Sequence, residues 1–429
     1  MNSLKNRTFW NFGGINFFYF TVWTLIITFL PLWLNDEANL STAEAGIVFS
    51  TMSVVAIFLE PVYGVIQDKL GLRRHLFAFV VLCLLMIGPY FEFAFIPLLQ
   101  FNVVFGSIAG GAFLSLCLYS GVGVVEAYTE RSSRASNFEY GHARLFGSLA
   151  GGAFAFIGGI MFVRDPFSVF WVCTISAILL GILLLMVNVR KLDSQRKVNE
   201  QIDNGSEEQE KDEGSHVNKD SILSVFKKRS FWGLCLLIIG SASLYDVFDQ
   251  QFPNYFVSFF PEEANGESIF SRLASLQIFM EAGFMVLAPW FINKIGAKNG
   301  LILYGLILFI RVIGTAFSTT PALLALWKLL AAIEMPLMLV SIMKYIVNVF
   351  DARLSATVYM LGFNVAKQLG VAFFSLFMGS LYTSLGFQNA YIIMSIIVLA
   401  LVIPGGLLMQ SDKTPRNQEP NTMENYHSA

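Results

Sequence analysis

Long apolar stretches recur along almost the whole of this 429-residue chain, and they constrain its fold more than any other feature. Hydrophobic residues make up 55% of the chain and charged residues 14%, against roughly 25% charged residues in ordinary soluble domains. A helix that crosses a membrane needs about 20 apolar residues. Segmentation by hydropathy gives twelve such stretches: about 9–34, 44–67, 75–98, 103–128, 141–163, 167–188, 222–252, 269–292, 300–318, 322–347, 354–379 and 386–409. The sequence therefore predicts an all-α membrane protein.

A polar segment separates the sixth stretch from the seventh. Residues 190–221 are highly charged, rich in Glu, Asn and Ser, and almost free of apolar side chains, so they cannot bury a core. We interpret them as a cytoplasmic linker between an N-terminal bundle of six helices (1–189) and a C-terminal bundle of six helices (222–410). Residues 411–429 form a polar tail, which we expect to be cytoplasmic.

The charges of the short loops predict the orientation of the chain, because Lys and Arg are retained on the cytoplasmic side. Basic loops at 68–75, 130–144 and 293–299 fall on the same side as the linker, whereas the loops at 35–45 and 260–268 are acidic or neutral. This pattern predicts that both termini are cytoplasmic.

An internal repeat relates the two halves. GVIQDKLGLRR at 64–74 follows the second stretch, and PWFINKIGAKN at 289–299 follows the eighth. Two similar loops at equivalent positions indicate a parallel duplication of a six-helix unit.

Ionisable residues inside the stretches are the main candidates for function, because a charge in the hydrocarbon interior is costly. The chain carries five acids and five bases of this kind: Glu126, Arg144, Asp246, Asp249, Glu281, Arg311, Lys328, Glu334, Lys344 and Lys367. This balance is what a low-dielectric interior requires, since an unpaired charge costs more than a well-bonded pair.

Asp246 and Asp249 lie three residues apart on one face of the seventh stretch. Lys328 in the tenth stretch and Lys367 in the eleventh are the obvious counter-ions. The residue types leave two interpretations open: these pairs only hold helices together, or they also line a functional interior.

A second group of side chains suits the binding of a sugar. Glu126 and Arg144 offer fixed acceptors and a forked set of donors, as several sugar hydroxyls require. Gln277 and Glu281, four residues apart on the eighth stretch, would add a second polar wall. Trp23 in the first stretch would supply an apolar platform for a pyranose ring.

Glu334 is the candidate for carrying a proton. It lies among apolar residues in the tenth stretch, and removal of water from a carboxylate favours its protonated form. Arg311 in the ninth stretch is a cation that would promote its deprotonation. The alternative is a permanent ion pair between Arg311 and Glu334.

Several function classes find no support in the sequence. It contains no phosphate-binding glycine loop, no nucleophile elbow and no His/Cys cluster with metal-ligand spacing. We therefore expect that the protein is not an enzyme and that it uses no cofactor or metal. Any energy for its function would then come from an ion gradient or from the gradient of the solute. The net charge of −2 argues against a nucleic-acid partner.

Six motifs resemble those of the oligosaccharide:proton symporters of the major facilitator superfamily: GVIQDKLGLRR (64–74), PLLQFN (97–102), VEAYTERSSRASNFEYGHARLFGS (125–148), YDVFDQQF (245–252), NKIGAKN (293–299) and RLSAT (353–357). The resemblance implies twelve transmembrane helices in two six-helix bundles, the major facilitator fold. It implies a multi-pass protein of the bacterial cytoplasmic (inner) membrane, surrounded by lipid, in which a cavity between the bundles opens to either side in turn. Because one chain holds both halves, a monomer suffices for this function.

The resemblance also implies roles for matching residues. Those at Glu126 and Arg144 bind sugar, and those at Arg311 and Glu334 translocate the proton. Charge pairs join Asp246 to Lys367 and Asp249 to Lys328.

The implied activity is symport of a proton with a disaccharide or small oligosaccharide of the sucrose or galactoside class. Gly151 stands where lactose permease has a stacking tryptophan, and Ala331 where it has a histidine, so the sugar stays open between sucrose, lactose, melibiose, raffinose and maltose. A drug:proton antiporter and a non-transporting membrane sugar sensor are the alternatives. The paired polar groups disfavour the first, and the lack of a folded output module disfavours the second.

Overall fold

The structure is a computed structural model that describes residues 7–136, 138–188, 192, 194, 225–261, 265–350 and 354–412. The predicted linker, apart from residues 192 and 194, and the predicted tail beyond residue 412 lie outside the described residues.

Eleven helices in the described part of the chain are long and apolar enough to span a membrane. They are α1 (Arg7–Asp36), α2 (Thr42–Gln67), α3 (His75–Phe101), α4 (Val103–Ser136), α5 (Tyr140–Arg164), α6 (Ser168–Met186), α7 (Arg229–Val257), α8 (Gly266–Ile295), α9 (Ala297–Ala316), α10 (Pro321–Val349) and α11 (Tyr359–Leu408). Each matches one predicted stretch except α11, which contains the last two.

Helix α11 is broken at Gly386, where φ is 77° and ψ is 167°. This left-handed conformation carries little steric cost for glycine, because glycine has no Cβ atom. The break divides α11 into two arms that correspond to the predicted stretches at 354–379 and 386–409. The structure therefore accounts for all twelve predicted spans.

Polar residues at the helix starts fix several boundaries. The Ser41 hydroxyl accepts a hydrogen bond from the Glu44 backbone N–H, and the Glu44 carboxylate accepts one from the Ser41 backbone N–H, which is a capping box at the start of α2. The Thr320 hydroxyl likewise accepts from the Leu323 backbone N–H at the start of α10. These bonds satisfy N–H groups that have no partner within the helix.

The two halves of the sequence meet mainly along two helix pairs, in which α2 packs against the first arm of α11 and α5 packs against α8. The Thr42 hydroxyl lies 2.8 Å from the Thr383 hydroxyl, and the Ser50 hydroxyl donates to the Ala372 carbonyl at 2.7 Å. In the other pair, the Ser275 hydroxyl donates to the Gly152 carbonyl at 2.6 Å. We call these two contacts the seam, and its α2–α11 part is closed at the end that carries the acidic loops.

The seam depends on glycine at position 46. A Cβ atom there would lie 2.6 Å from the Ser375 carbonyl oxygen, so Gly46→Ala is expected to separate α2 from α11 at this end. Gly283→Ala is the matched control, because a Cβ atom at Gly283 meets nothing within 4 Å. The distance between spin labels at Asn39 and Ser384 should increase only in the Gly46 variant. An unchanged distance would show that the seam accommodates a methyl group.

Candidate functional site

A cavity of about 640 Å³ lies among α1, α2, α4, α7, α10 and α11. Small-molecule sites in proteins have volumes of roughly 300 to 1,000 Å³. The cavity extends to Gln67 and Arg131, near the ends of α2 and α4 that lead into the basic loops. It therefore reaches toward the face opposite the closed end of the seam.

Charged and aromatic side chains give the cavity its character. Those that line it are Glu60, Glu126, Arg131, Asp246, Asp249 and Lys367, with Trp23, Tyr63, Tyr119, Tyr245, Tyr359, Phe49 and Phe363. Such a mixture of ionic hydrogen-bonding groups and flat apolar faces is suited to a polar solute that has several hydroxyls and C–H faces.

The structure brings Glu126 and Arg144 together. The Arg144 Nε atom donates to Glu126 Oε1 at 3.1 Å, and the guanidinium carbon lies 3.7 Å from the centre of the Phe20 ring. The stacking and the ion pair fix the plane of the guanidinium while its terminal nitrogens take no part in the bond to Glu126. Glu126 lines the cavity, and Arg144 contacts the cavity wall through its bond to Glu126.

Trp23 also lines the cavity, where its ring lies 5.8 Å from that of Tyr119 at an interplanar angle of 34°. Gly151 is buried on α5, and a Cβ atom at this position would lie 3.2 Å from the Thr24 hydroxyl and 3.7 Å from Ile278. The neighbouring helices thus fill the space beside Gly151. The aromatic face at the cavity comes from Trp23 of α1 and not from position 151.

Asp246 and Lys367 join α7 to α11 across the cavity wall. The Lys367 Nζ atom lies 2.8 Å from Asp246 Oδ2, and both side chains are about one-fifth exposed. Because both residues line the cavity, this pair remains within reach of a solute.

Asp249 is shared by two cations. Lys328 Nζ lies 3.0 Å from Asp249 Oδ2, and Arg311 Nη1 lies 3.2 Å from Asp249 Oδ1. Arg311 Nη2 lies in turn 3.0 Å from Glu334 Oε2, with both of these side chains fully buried. Two anions and two cations make this four-residue cluster neutral, and Asp249 alone among the four lines the cavity.

The bridge from Arg311 to Asp249 was not predicted from the sequence. The guanidinium of Arg311 lies 4.7 Å from the centre of the Tyr245 ring and 4.6 Å from that of Phe248. Both rings flank Asp249 on α7, so the aromatic residues around the two aspartates were the available signal for a second cation.

Glu334 is held by charge more than by hydrogen bonds. Among the described residues, none donates a hydrogen bond of good geometry to either of its carboxylate oxygens, although Arg311 is within ion-pair distance. Ala331, one turn earlier on α10, is fully buried and places no polar group beside it. A fully buried carboxylate with one ionic partner is well suited to take up a proton.

Gln277 and Glu281 lie on α8 and are not part of the cavity lining in this conformation. Gln277 is buried. The charges of Lys328, Arg144 and Asp249 act on the Glu281 carboxylate. Glu281 is thus within electrostatic reach of both Arg144 and the cluster around Asp249.

Glu60, for which the sequence predicts no role, lines the cavity from α2. Its Oε1 atom accepts a hydrogen bond from Gln368 Nε2 of α11 at 3.4 Å.

The described residues contain no group of three His, Cys, Asp or Glu side chains that is arranged to hold a metal ion.

Comparison with known proteins assigns the chain to a family. A family described as the LacY proton/sugar symporter matches residues 1–419. The chain belongs to the LacY proton/sugar symporter family. The raffinose permease of Escherichia coli is 40% identical over 407 residues, which cover 95% of this chain and 94% of the relative. The melibiose permease of Enterobacter cloacae subsp. cloacae is 40% identical over 406 residues, which cover 95% of this chain and 93% of the relative. The sucrose permease of Escherichia coli is 34% identical over 394 residues, which cover 92% of this chain and 91% of the relative.

Solved structures share the fold of this LacY-family chain. The nucleoside transporter NupG has a TM-score of 0.69 at 14% identity and covers 94% of this chain and 100% of its own. The inward-open xylose transporter XylE of Escherichia coli has a TM-score of 0.64 at 16% identity, and the match covers 94% of this chain and 96% of XylE. The predicted family and the predicted major facilitator fold are confirmed. The relatives are permeases, which confirms that the chain is a membrane transporter and not an enzyme.

The pair of Asp246 and Lys367 gives a test of charge balance. Asp246→Asn alone or Lys367→Gln alone should lower the free energy of unfolding by roughly 3 kcal/mol, because each leaves an unpaired charge in the interior. The double variant should recover most of this loss, as measured by thermal unfolding in detergent. The exposed pair of Glu130 and Arg134 is the control, since neutralising Glu130 alone should change little. Equal stability of the single and double variants would contradict the mutual neutralisation.

Proposed function

We propose that this LacY-family chain carries a disaccharide or small oligosaccharide, of the sucrose or galactoside class, into the cell together with a proton. The observation that supports this function most directly is the neutral cluster of Asp249, Lys328, Arg311 and Glu334. It extends from the cavity wall to a fully buried carboxylate, so a solute in the cavity and a proton on Glu334 act on one set of charges.

The proposed sugar site is built around Glu126 and Arg144. The carboxylate accepts from sugar hydroxyls, and the terminal nitrogens of the guanidinium donate to them, in a geometry set by the Phe20 ring. Trp23 packs against the C–H face of a pyranose. Gln277 and Glu281 complete the polar surface when closure of the cavity brings α8 closer to the sugar.

The proposed proton step begins at Glu334. Protonation of Glu334 leaves Arg311 with Asp249 as its anion, although Asp249 also neutralises Lys328. The cluster then carries one positive charge, which strengthens the attraction between Lys328 and Glu281.

Glu281 transmits this change to the sugar site, because its carboxylate also feels the charge of Arg144. In this way proton loading alters the sugar site without the histidine that Ala331 replaces. The coupling is reciprocal, so bound sugar changes the affinity of Glu334 for its proton by the same factor.

The conformation described here is proposed to face the cytoplasm. The cavity reaches toward the basic loops, which the positive-inside rule places on the cytoplasmic side, and α2 and α11 close the opposite end. The sugar promotes the transition between the two states only through stronger contacts in one of them.

Further proposals concern the setting of the chain. Large apolar side chains project from the outer surface, including Phe58, Phe101 and Trp290, as contact with lipid requires. We place the protein in the bacterial inner membrane as a monomer, with both termini, the linker at 190–221 and the tail on the cytoplasmic side. The two bundles comprise residues 1–189 and 222–410.

Proteoliposomes test the proposed function and the role of Glu334 together. With an imposed pH gradient, the wild type should accumulate at least one of sucrose, lactose, melibiose, raffinose and maltose, and addition of that sugar should make the outside medium more alkaline. Glu334→Gln should abolish accumulation and the pH change but retain exchange of labelled sugar across the membrane, because an amide cannot carry the proton.

Glu130→Gln is the control, since Glu130 lies in an exposed pair with Arg134, and it should behave as the wild type does. Uphill accumulation by the Glu334 variant would assign the proton to another group. Failure of the wild type to accumulate any of the five sugars would overturn the proposed function itself.

Arg144→Lys should weaken sugar binding at least about tenfold, because one ammonium cannot reproduce the forked donors or the stacking on Phe20. Arg134→Lys, at an exposed position near the end of α4, is the matched control. Binding is measured by protection of the protein against thermal unfolding in a sugar titration. Affinity within twofold of the wild type would place Arg144 outside the sugar site.

A further inference from the structure

A second group of polar side chains lines the cavity in addition to Glu126, the partner of Arg144. It consists of Glu60 on α2, Gln250 on α7 and Gln368 on α11, so both halves of the chain contribute. We call these three residues the remote wall. None of them belongs to the neutral cluster around Asp249.

The two amides of the remote wall have unused hydrogen-bonding atoms. Gln250 Oε1 accepts from the Ser375 hydroxyl at 2.7 Å, which fixes the orientation of this amide, while its buried Nε2 atom has no partner among the described residues. Gln368 donates to Glu60 through Nε2, and its buried Oε1 atom also has no partner in the described part of the chain. Both atoms are covered in this conformation. A solute that carries both donors and acceptors would satisfy them when closure of the cavity turns the two amides toward it.

Glu60 retains most of its capacity to accept hydrogen bonds. The contact with Gln368 is long, at 3.4 Å, and no described cation lies within ion-pair distance of the carboxylate. The charge of Lys367 acts on Glu60, but the Lys367 ammonium is bonded to Asp246 at 2.8 Å. A carboxylate that is not consumed by an ion pair and faces a cavity is a strong acceptor for hydroxyl donors.

Tyr359 relates the remote wall to the site around Glu126. The charges of Glu126 and Glu60 both act on its hydroxyl, so this one side chain is within electrostatic reach of both carboxylates. Tyr359, Glu60 and Glu126 all line the same cavity. The two groups therefore face the same cavity, and a solute in this cavity lies between them.

We propose that Glu60, Gln250 and Gln368 form a second saccharide subsite, which binds the sugar unit farther from Arg144. Hydroxyls of that unit donate to Glu60 and to Gln368 Oε1 and accept from Gln250 Nε2. Glu60 is a specificity-determining residue in this arrangement, because it strengthens the binding only of substrates that are long enough to reach it. This inference rests on the proposed function and on the position of Arg144 at the first unit.

A nested series of sugars tests the second subsite. Methyl α-galactoside, melibiose and raffinose share one galactose unit and contain one, two and three sugar units; methyl α-glucoside and sucrose form the corresponding pair for a glucoside carrier. Half-saturation is measured by counterflow in proteoliposomes for the wild type, Glu60→Ala and Glu60→Gln. Glu92→Gln is the matched control, because Glu92 bonds the Trp171 indole and does not line the cavity.

Glu60→Ala should raise the half-saturation concentration of the longest substrate on the order of tenfold, equivalent to about 1.4 kcal/mol, and that of the methyl glycoside less than twofold. Glu60→Gln should lie between Glu60→Ala and the wild type, because one acceptor oxygen remains. Glu92→Gln should match the wild type for every sugar.

Three results would overturn the proposal. An equal loss for short and long substrates would make Glu60 a structural residue, and no loss for any of them would place it outside the binding surface. Loss of uphill accumulation with unchanged counterflow would make Glu60 a proton carrier. In each case the wild type still transports sugar, whereas a wild type that transports none would refute the proposed function.

Discussion

The ion pairs of Arg311 organise the interior of this transporter. Its guanidinium is fully buried and joins Asp249 of α7 to Glu334 of α10, while Lys328 neutralises the remaining charge of Asp249. An isolated cation at this depth would be very costly, so helices α7, α9 and α10 have to assemble together. The same bonds leave one member of the cluster, Asp249, at the cavity wall. In the proposed mechanism, stability and proton coupling therefore depend on one set of contacts.

The sequence predicted the fold well because hydrophobic stretches, basic loops and a repeated loop motif are strong local signals. The break at Gly386 and the end of α7 at Val257 depend on packing and are less visible in the sequence. Placement of side chains was harder. Periodicity put Asp246 and Asp249 on one face, but the choice of partners follows from helix rotations that a sequence pattern does not define. This is why the link from Arg311 to Asp249 was missed.

Local irregularities in the helices affect which side chains reach the cavity. Stretches of π-helix occur in α4 (Ser115–Tyr119), α7 (Ile239–Ser243) and α11 (Tyr359–Val365), and each contains or immediately precedes residues that line the cavity. A π-turn inserts one residue and rotates everything after it, and such turns are frequent at functional sites. Hydropathy does not report them. The positions of Tyr119 and Tyr359 in the cavity lining could not have been read from the sequence.

The seam is fastened by weak bonds. Single hydroxyl groups of Thr42, Ser50 and Ser275 contact the facing helix, and no salt bridge crosses the seam among the residues that the structure describes. Each such bond contributes only about 1 kcal/mol. Rocking of the halves would therefore exchange neutral hydrogen bonds along these helices without separating an ion pair of the described residues. Addition or removal of one hydroxyl along that contact would then shift the balance between the inward-facing and outward-facing states of a carrier of this design.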